Sequence, residues 1–199
     1  MENAVQLRRS TQQRCGGRRL HAMAVEFPEV AGHPNRLPFK GCLTLVDVPS
    51  DKAPSGARGH RVLLTKEAAE TALPSLLGMA VDYKAGWDGH DARQKCGIIT
   101  SAHLEGSKLL VSGFLFARDF PEMEAKVGGI TGGAVGAMGM SYELTDAHVA
   151  DMRDVVWRLT RATFTGAAIL LREKAAYRAT SFHVCRKVNN RSSRTATTK

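Results

Sequence analysis

Lys95–Ala117 reads KCGIITSAHLEGSKLLVSGFLFA. Two runs rich in apolar and β-branched residues flank EGSK, which supplies a glycine where a tight turn wants one. This predicts an antiparallel hairpin. FKGCLTLVD (Phe39–Asp47) predicts a strand before it, and GMAVDY (Gly78–Tyr83) a short one. MSYELTD (Met140–Asp146) predicts a strand after it, and DVVWRLTRATFTGAAILL (Asp154–Leu171) one or two more.

Helices are few and short. Thr65 is a good N-cap for TKEAAETALPSLL, with Glu67 and Glu70 near the positive end of its dipole and Pro74 as a stop or kink. In RDFPEMEAKV, Asp119 can cap and Pro121 suits the first turn. REKAAYRAT (Arg172–Thr180) reads as a third short helix. Val48–His60, rich in Pro, Gly and Ser, reads as a surface loop. There is no βαβ rhythm, so the expected fold is α+β: a mostly antiparallel, closed or nearly closed β-barrel with a few short helices.

The chain has 199 residues and a net charge of +9, and that charge is unevenly placed. Residues 1–36 carry +3 and residues 183–199 carry +5, leaving +1 for 37–182. The expected organisation is a basic, largely disordered N-terminal tail (1–36), a folded domain (37–182) and a basic disordered C-terminal tail (183–199). A near-neutral domain, in a chain of which only 6% of residues are aromatic, argues against a nucleic-acid-binding surface, except through the tails. No apolar run reaches the roughly 20 residues that span a bilayer, so no membrane partner is expected. Cys15, Cys42, Cys96 and Cys185 form no C-x-x-C pair, which reads as free thiols.

The chemistry concentrates in GGITGGAVGAMGMSYEL (Gly128–Leu144), where six glycines among residues 128–139 precede a single serine, Ser141. A nucleophilic serine needs exposure and backbone N–H groups aimed at the developing oxyanion, and a glycine-rich approach can supply both. Gly139, two residues before Ser141, is the candidate for that backbone support. The stretch is neither a G-x-S-x-G elbow nor a phosphate loop. His90, in the loop GWDGHDARQ, is the candidate general base. His21 and His183 lie in or near the tails, His33 and His60 in Pro/Gly-rich loops, and His103 within a strand; His148 also competes. Asp88, His90, Asp91 and Cys96 match no metal-ligand spacing, so neither a metal nor another cofactor is expected.

In order along the chain, PFKGCLTLVD, ALPSLLGMAVDY, GHDARQKCGIIT, LLVSGFLFARDFPE, GAVGAMGMSYEL and VVWRLTRATFTGAAILLREKAAYRAT resemble the capsid maturation (prohead) serine proteases of tailed bacteriophages, related in fold to herpesvirus assemblin. The resemblance covers roughly residues 37–182. It implies an assemblin-like fold, Ser141 as nucleophile and His90 as base, 51 residues apart. It also implies a serine endopeptidase that cuts scaffolding protein, major capsid protein precursor and itself inside the immature capsid in the host cytoplasm, with self-association among its contacts. Many relatives carry an acidic residue in the late strand, but here no carboxylate lies between Asp154 and Glu173. The third catalytic member stays open among Asp91, Glu143, His148 and Glu173, and a dyad is the remaining form. The alternative is a catalytically inactive capsid-assembly protein of the same fold that docks on scaffold or shell.

Overall fold

The computed structural model describes residues 7–9, 22–28, 32–127 and 137–185. Its central hairpin pairs β6 (Lys95–Glu105) with β7 (Lys108–Leu115) across Gly106, which takes φ 60° to close the turn. β3 (Leu37–Leu45) lies on the far side of β7, and β10 (Ser181–Val184) beyond it. On the other side, β5 (Ala80–Asp82) pairs with β6, and then β9 (Val156–Leu171) runs parallel to β5. β9 also takes β4 (Arg61–Leu64) in parallel and β8 (Met138–Val149) in antiparallel pairing. β1 (Leu7–Arg9) and β2 (Ala22–Val25) fall inside the segment read as an N-terminal tail, and β2 pairs with β6. At the other end, His183 and Val184 belong to β10. Most of 1–36 and all of 186–199 lie outside the described residues.

The fold is α+β and mostly strand, with α1 (Lys66–Ala72), a 3-10 turn (Leu73–Leu76) and α2 (Pro121–Val127). Thr65 caps α1 by accepting from the Ala68 amide at 3.2 Å, and Pro74 sits where α1 tightens into the 3-10 turn. The expectation of a closed or nearly closed barrel is corrected. The sheet is a strongly curled half-barrel, and it is open. The seam shows why. β8 packs against β3 and β10, but side chains take the place of a backbone ladder there. The Met140 amide donates to Thr180 Oγ1 at 3.3 Å, so it needs no strand partner. Met140 Sδ fills the space above Gly41, only 2.7 Å from where a Cβ would stand.

Arg172–Thr180 is a run of turns rather than the expected helix. Lys174 N bonds Leu171 O, Ala175 N bonds Arg172 O, and Thr180 N bonds Tyr177 O. Buried Tyr177 reaches under the sheet to donate to Val48 O (3.2 Å) or Val62 O (3.0 Å), an anchor that favours turns over a helix.

The two faces of β9 have different fates. Ala167 and Ile169 join Phe39, Leu43, Val81, Met140 and Phe164 in the main core. Ala168 and Leu170 point the other way and form a small second cluster with Ala175. That second face carries the chemistry.

Candidate functional site

Ser141 lies opposite Ala168 in the β8–β9 ladder, and Asp82 lies opposite the same Ala168 in the β5–β9 ladder. The three residues form one row across three strands, so their side chains share a face. Neighbouring strands are about 4.8 Å apart, which puts the Ser141 and Asp82 backbones roughly 10 Å apart. Ala168, between them, presents only a methyl group on that face.

The loop between β5 and β6 brings that imidazole. Tyr83 stacks on Trp87 with ring centroids 5.0 Å apart, and the Trp87 carbonyl accepts from Leu171 N at the end of β9 (2.8 Å). Trp87 takes φ 55° to make the bend. The chain then returns over the sheet and places His90 beside Asp82. Nδ1 of His90 stands 3.4 Å from Asp82 Oδ1 and 3.7 Å from Glu143 Oε1. Asp82 is fully buried, and its other oxygen, Oδ2, accepts from Lys95 Nζ at 2.9 Å. Glu143 shares the face of Ser141 two residues on, and its carboxyl folds over Gly166.

Each proposed third member therefore has a defined place. Asp91 is held by Arg93 through its backbone amide (3.0 Å) and guanidinium, contacts that lower the Asp91 pKa. His148 Nδ1 contacts Thr160 Oγ1 at 3.0 Å on the exposed part of β8. Glu173 lies in the turns after β9 and is exposed. Of the four, Glu143 is the one placed at His90. The nearest carboxylate is one the sequence reading passed over, Asp82. Its signal was present: an ionisable residue inside the apolar run MAVDY, just upstream of the histidine loop.

The polar groups are incompletely paired. Asp82 Oδ1 and both ring nitrogens of His90 are buried without hydrogen-bond partners. The Nδ1 contacts are within ion-pair range but off hydrogen-bond geometry, and Ser141 does not bond to the ring. An Nδ1–H tautomer would put its proton on the carboxylate side of the ring and leave Nε2 as the acceptor.

Gly139 is buried in β8 with an ordinary negative-φ backbone. What it supplies is room. A Cβ there would stand 2.6 Å from Thr180 Oγ1 and 3.2 Å from Arg172 Cα. Gly128–Gly136 lie outside the described residues. Among the described residues, no group of three or more His, Cys, Asp or Glu side chains could hold a metal ion. Cys96 faces the core, where burial raises its thiol to about 12. No protein-family model matches the chain, and neither does any curated protein sequence.

Proposed function

We propose that this chain is a serine endopeptidase of the capsid-maturation class, with Ser141 as nucleophile, His90 as general base and Asp82 as the group that orients His90. The observation that carries this reading is the Ser141–Ala168–Asp82 row with His90 brought to its Asp82 end. Ser141 Oγ attacks the scissile carbonyl and His90 Nε2 takes its proton. The Nδ1–H then faces Asp82, which stabilises the imidazolium. The proton passes to the leaving amine as the C–N bond breaks. Water, activated by the same nitrogen, resolves the acyl-enzyme. The order of motifs along the chain supports a prohead-type substrate set of scaffolding protein, capsid precursor and the chain itself.

A second reading, a catalytically inactive assembly protein of the same fold, draws on the missing contact between Ser141 and the His90 ring. In a working apo enzyme such a contact is often long and tightens only with substrate. The test is co-expression with scaffold. Ser141→Ala and His90→Ala should each nearly abolish cleavage, and the double variant should be no worse than either single one. Intact-mass measurement of wild type against Ser141→Ala reads self-processing. Full scaffold cleavage by Ser141→Ala would leave only a non-serine mechanism.

A further inference from the structure

Tyr83 follows Asp82 directly in the chain and is only 3% exposed. Its ring stacks on Trp87 at 27° between planes, and Phe120 packs against it edge-on at 5.9 Å. Its hydroxyl donates to Glu122 Oε1 on α2. Burial and the neighbouring carboxylate both push the Tyr83 pKa up, so the hydroxyl keeps its proton and stays a donor. Met123, beside Glu122, is fully buried and seats α2 on the core. A column of contacts, Glu122 to Tyr83 to Trp87, therefore runs from α2 to the loop that carries His90 three residues further on.

Few other contacts fix that loop. Trp87 N donates to Lys84 O at 2.7 Å, and the Trp87 carbonyl accepts from Leu171 N. The Lys84–Asp88 ion pair spans the same turn at 3.2 Å, but both side chains are about half exposed, so water and salt screen it. The His90 ring makes no hydrogen bond of its own. Its place is set by the backbone just upstream, where the stack on buried Tyr83 is a contact that water does not weaken. Glu122 is exposed, yet it is the acceptor for a buried hydroxyl. Losing that acceptor strands the hydroxyl at a cost, which the ring relieves by tilting out of the stack toward water.

We propose that Glu122 and Tyr83 are positioning residues for His90: α2 holds the Tyr83 ring through Glu122, and the ring holds the histidine loop through Trp87. The inference rests on the peptidase reading above for its effect on catalysis, and on the contacts alone for the placement of His90.

The test uses the full chain, diethyl pyrocarbonate modification of histidines mapped by mass spectrometry, and a fluorophosphonate probe that labels an activated serine. Tyr83→Phe keeps the stacked ring and removes the donor, Glu122→Ala removes the acceptor, and Glu122→Gln keeps an acceptor oxygen. A misplacement of about 1 Å can cost on the order of a hundredfold, so a partly loosened loop should slow Ser141 labelling at least about fivefold in Tyr83→Phe and in Glu122→Ala. The same two variants should modify His90 several times faster than wild type, with exposed His148 and half-buried His103 unchanged. The double variant should match either single one, because both changes break one bond. Glu122→Gln should behave as wild type in both assays. Equal His90 rates in wild type and both variants overturn the positioning role, and so does unchanged labelling in a wild type that labels. A rise shared by His90, His103 and His148 also overturns it, since that is general loosening. A wild type that takes no label at Ser141 overturns the peptidase reading, and the histidine rates then still decide the placement of His90.

Discussion

Asp82 Oδ1 and His90 Nδ1 stand 3.4 Å apart, with Asp82 0% exposed, while Glu143 Oε1 approaches the same nitrogen at 3.7 Å from a side chain that is 50% exposed. Burial decides between the two carboxylates. A charge in water-accessible surroundings is screened, whereas a buried one acts through a low effective dielectric. Asp82→Asn should therefore fold yet lose at least about a thousandfold in kcat, in line with the roughly 10⁴-fold loss for the equivalent change in a Ser-His-Asp triad. Glu143→Gln should cost less than about tenfold. Steady-state kinetics on a scaffold-derived peptide checks both, and a larger loss for Glu143→Gln would give the orienting role to Glu143.

Lys95 holds the other oxygen of Asp82 at 2.9 Å. Its side chain is 38% exposed, so water partly replaces it when it is lost. Lys95→Met should thus destabilise by about 1–3 kcal/mol, below the roughly 3–5 kcal/mol for breaking a fully buried pair. Adding Asp82→Asn should recover much of that loss, because the stranded charge is gone. Urea unfolding of the four members of the cycle measures it. Strict additivity would mean that the pair contributes nothing.

Gly166 gives the carboxyl of Glu143 its resting place, since a Cβ there would stand 2.6 Å from Glu143 Oε2. That oxygen is the far end of a flexible, half-exposed side chain, so Gly166→Ala should change the unfolding midpoint little. It should move Glu143 from its position near His90 and reproduce the kinetics of Glu143→Gln within about twofold. A large stability loss would mean that the backbone, not Glu143, is what Gly166 accommodates.

The hairpin and the Thr65 cap were legible because each depends on local residue types. The positions of Ser141 and His90 were legible as candidates for the same reason. The alignment of Asp82 with Ser141 was not. It depends on a parallel ladder in which only Val81 and Asp82 face Ala167 and Ala168, between segments more than eighty residues apart. The candidates Asp91, Glu143, His148 and Glu173 all follow His90 in the chain, whereas Asp82 precedes it, at the end of β5. The open seam was equally hidden. It depends on the Thr180 hydroxyl taking the Met140 amide, forty residues away. Arg172–Thr180 has helix-forming residues, and the anchor of Tyr177 overrides them.

Cys96 sets an alkaline limit. Burial is the main reason its thiol rises from an ordinary 9.0 to about 12, and nearby Asp82 pushes the same way. The folded state therefore keeps a proton that the unfolded chain gives up. Stability from this group is complete below pH 9 and is lost as the pH rises through 9 towards 12, by up to about 1.4 kcal/mol per pH unit. Burial raises Tyr177 as well, so the fall should steepen above pH 10. Cys96→Ala should flatten the profile between pH 9 and 10, read by chemical unfolding at fixed temperature. In the native protein, half-exposed Cys185 should react with a thiol reagent at pH 8 long before Cys96. Equal reactivity of the two would contradict the burial of Cys96.

Gly139 separates two explanations for the glycines before Ser141. Its φ is not positive, so an alanine there meets no backbone strain. It meets Thr180 instead, whose Oγ1 would lie 2.6 Å from the new methyl group. That oxygen accepts from the Met140 amide at 3.3 Å and donates to Tyr177 O at 2.9 Å, so pushing it away breaks the bonds that tie β8 to the Tyr177–Thr180 turn. Gly139→Ala should therefore destabilise by about 1–3 kcal/mol, the usual cost of overpacking. Thr180→Ala alone should also cost about 1–3 kcal/mol, because it orphans a buried amide. The two changes act on one contact, so the double variant should be clearly less destabilised than the sum of the singles. Urea unfolding gives all three values. If Gly139→Ala keeps full stability and loses only cleavage rate, the glycine serves the reacting carbonyl directly and the packing account of this position is wrong.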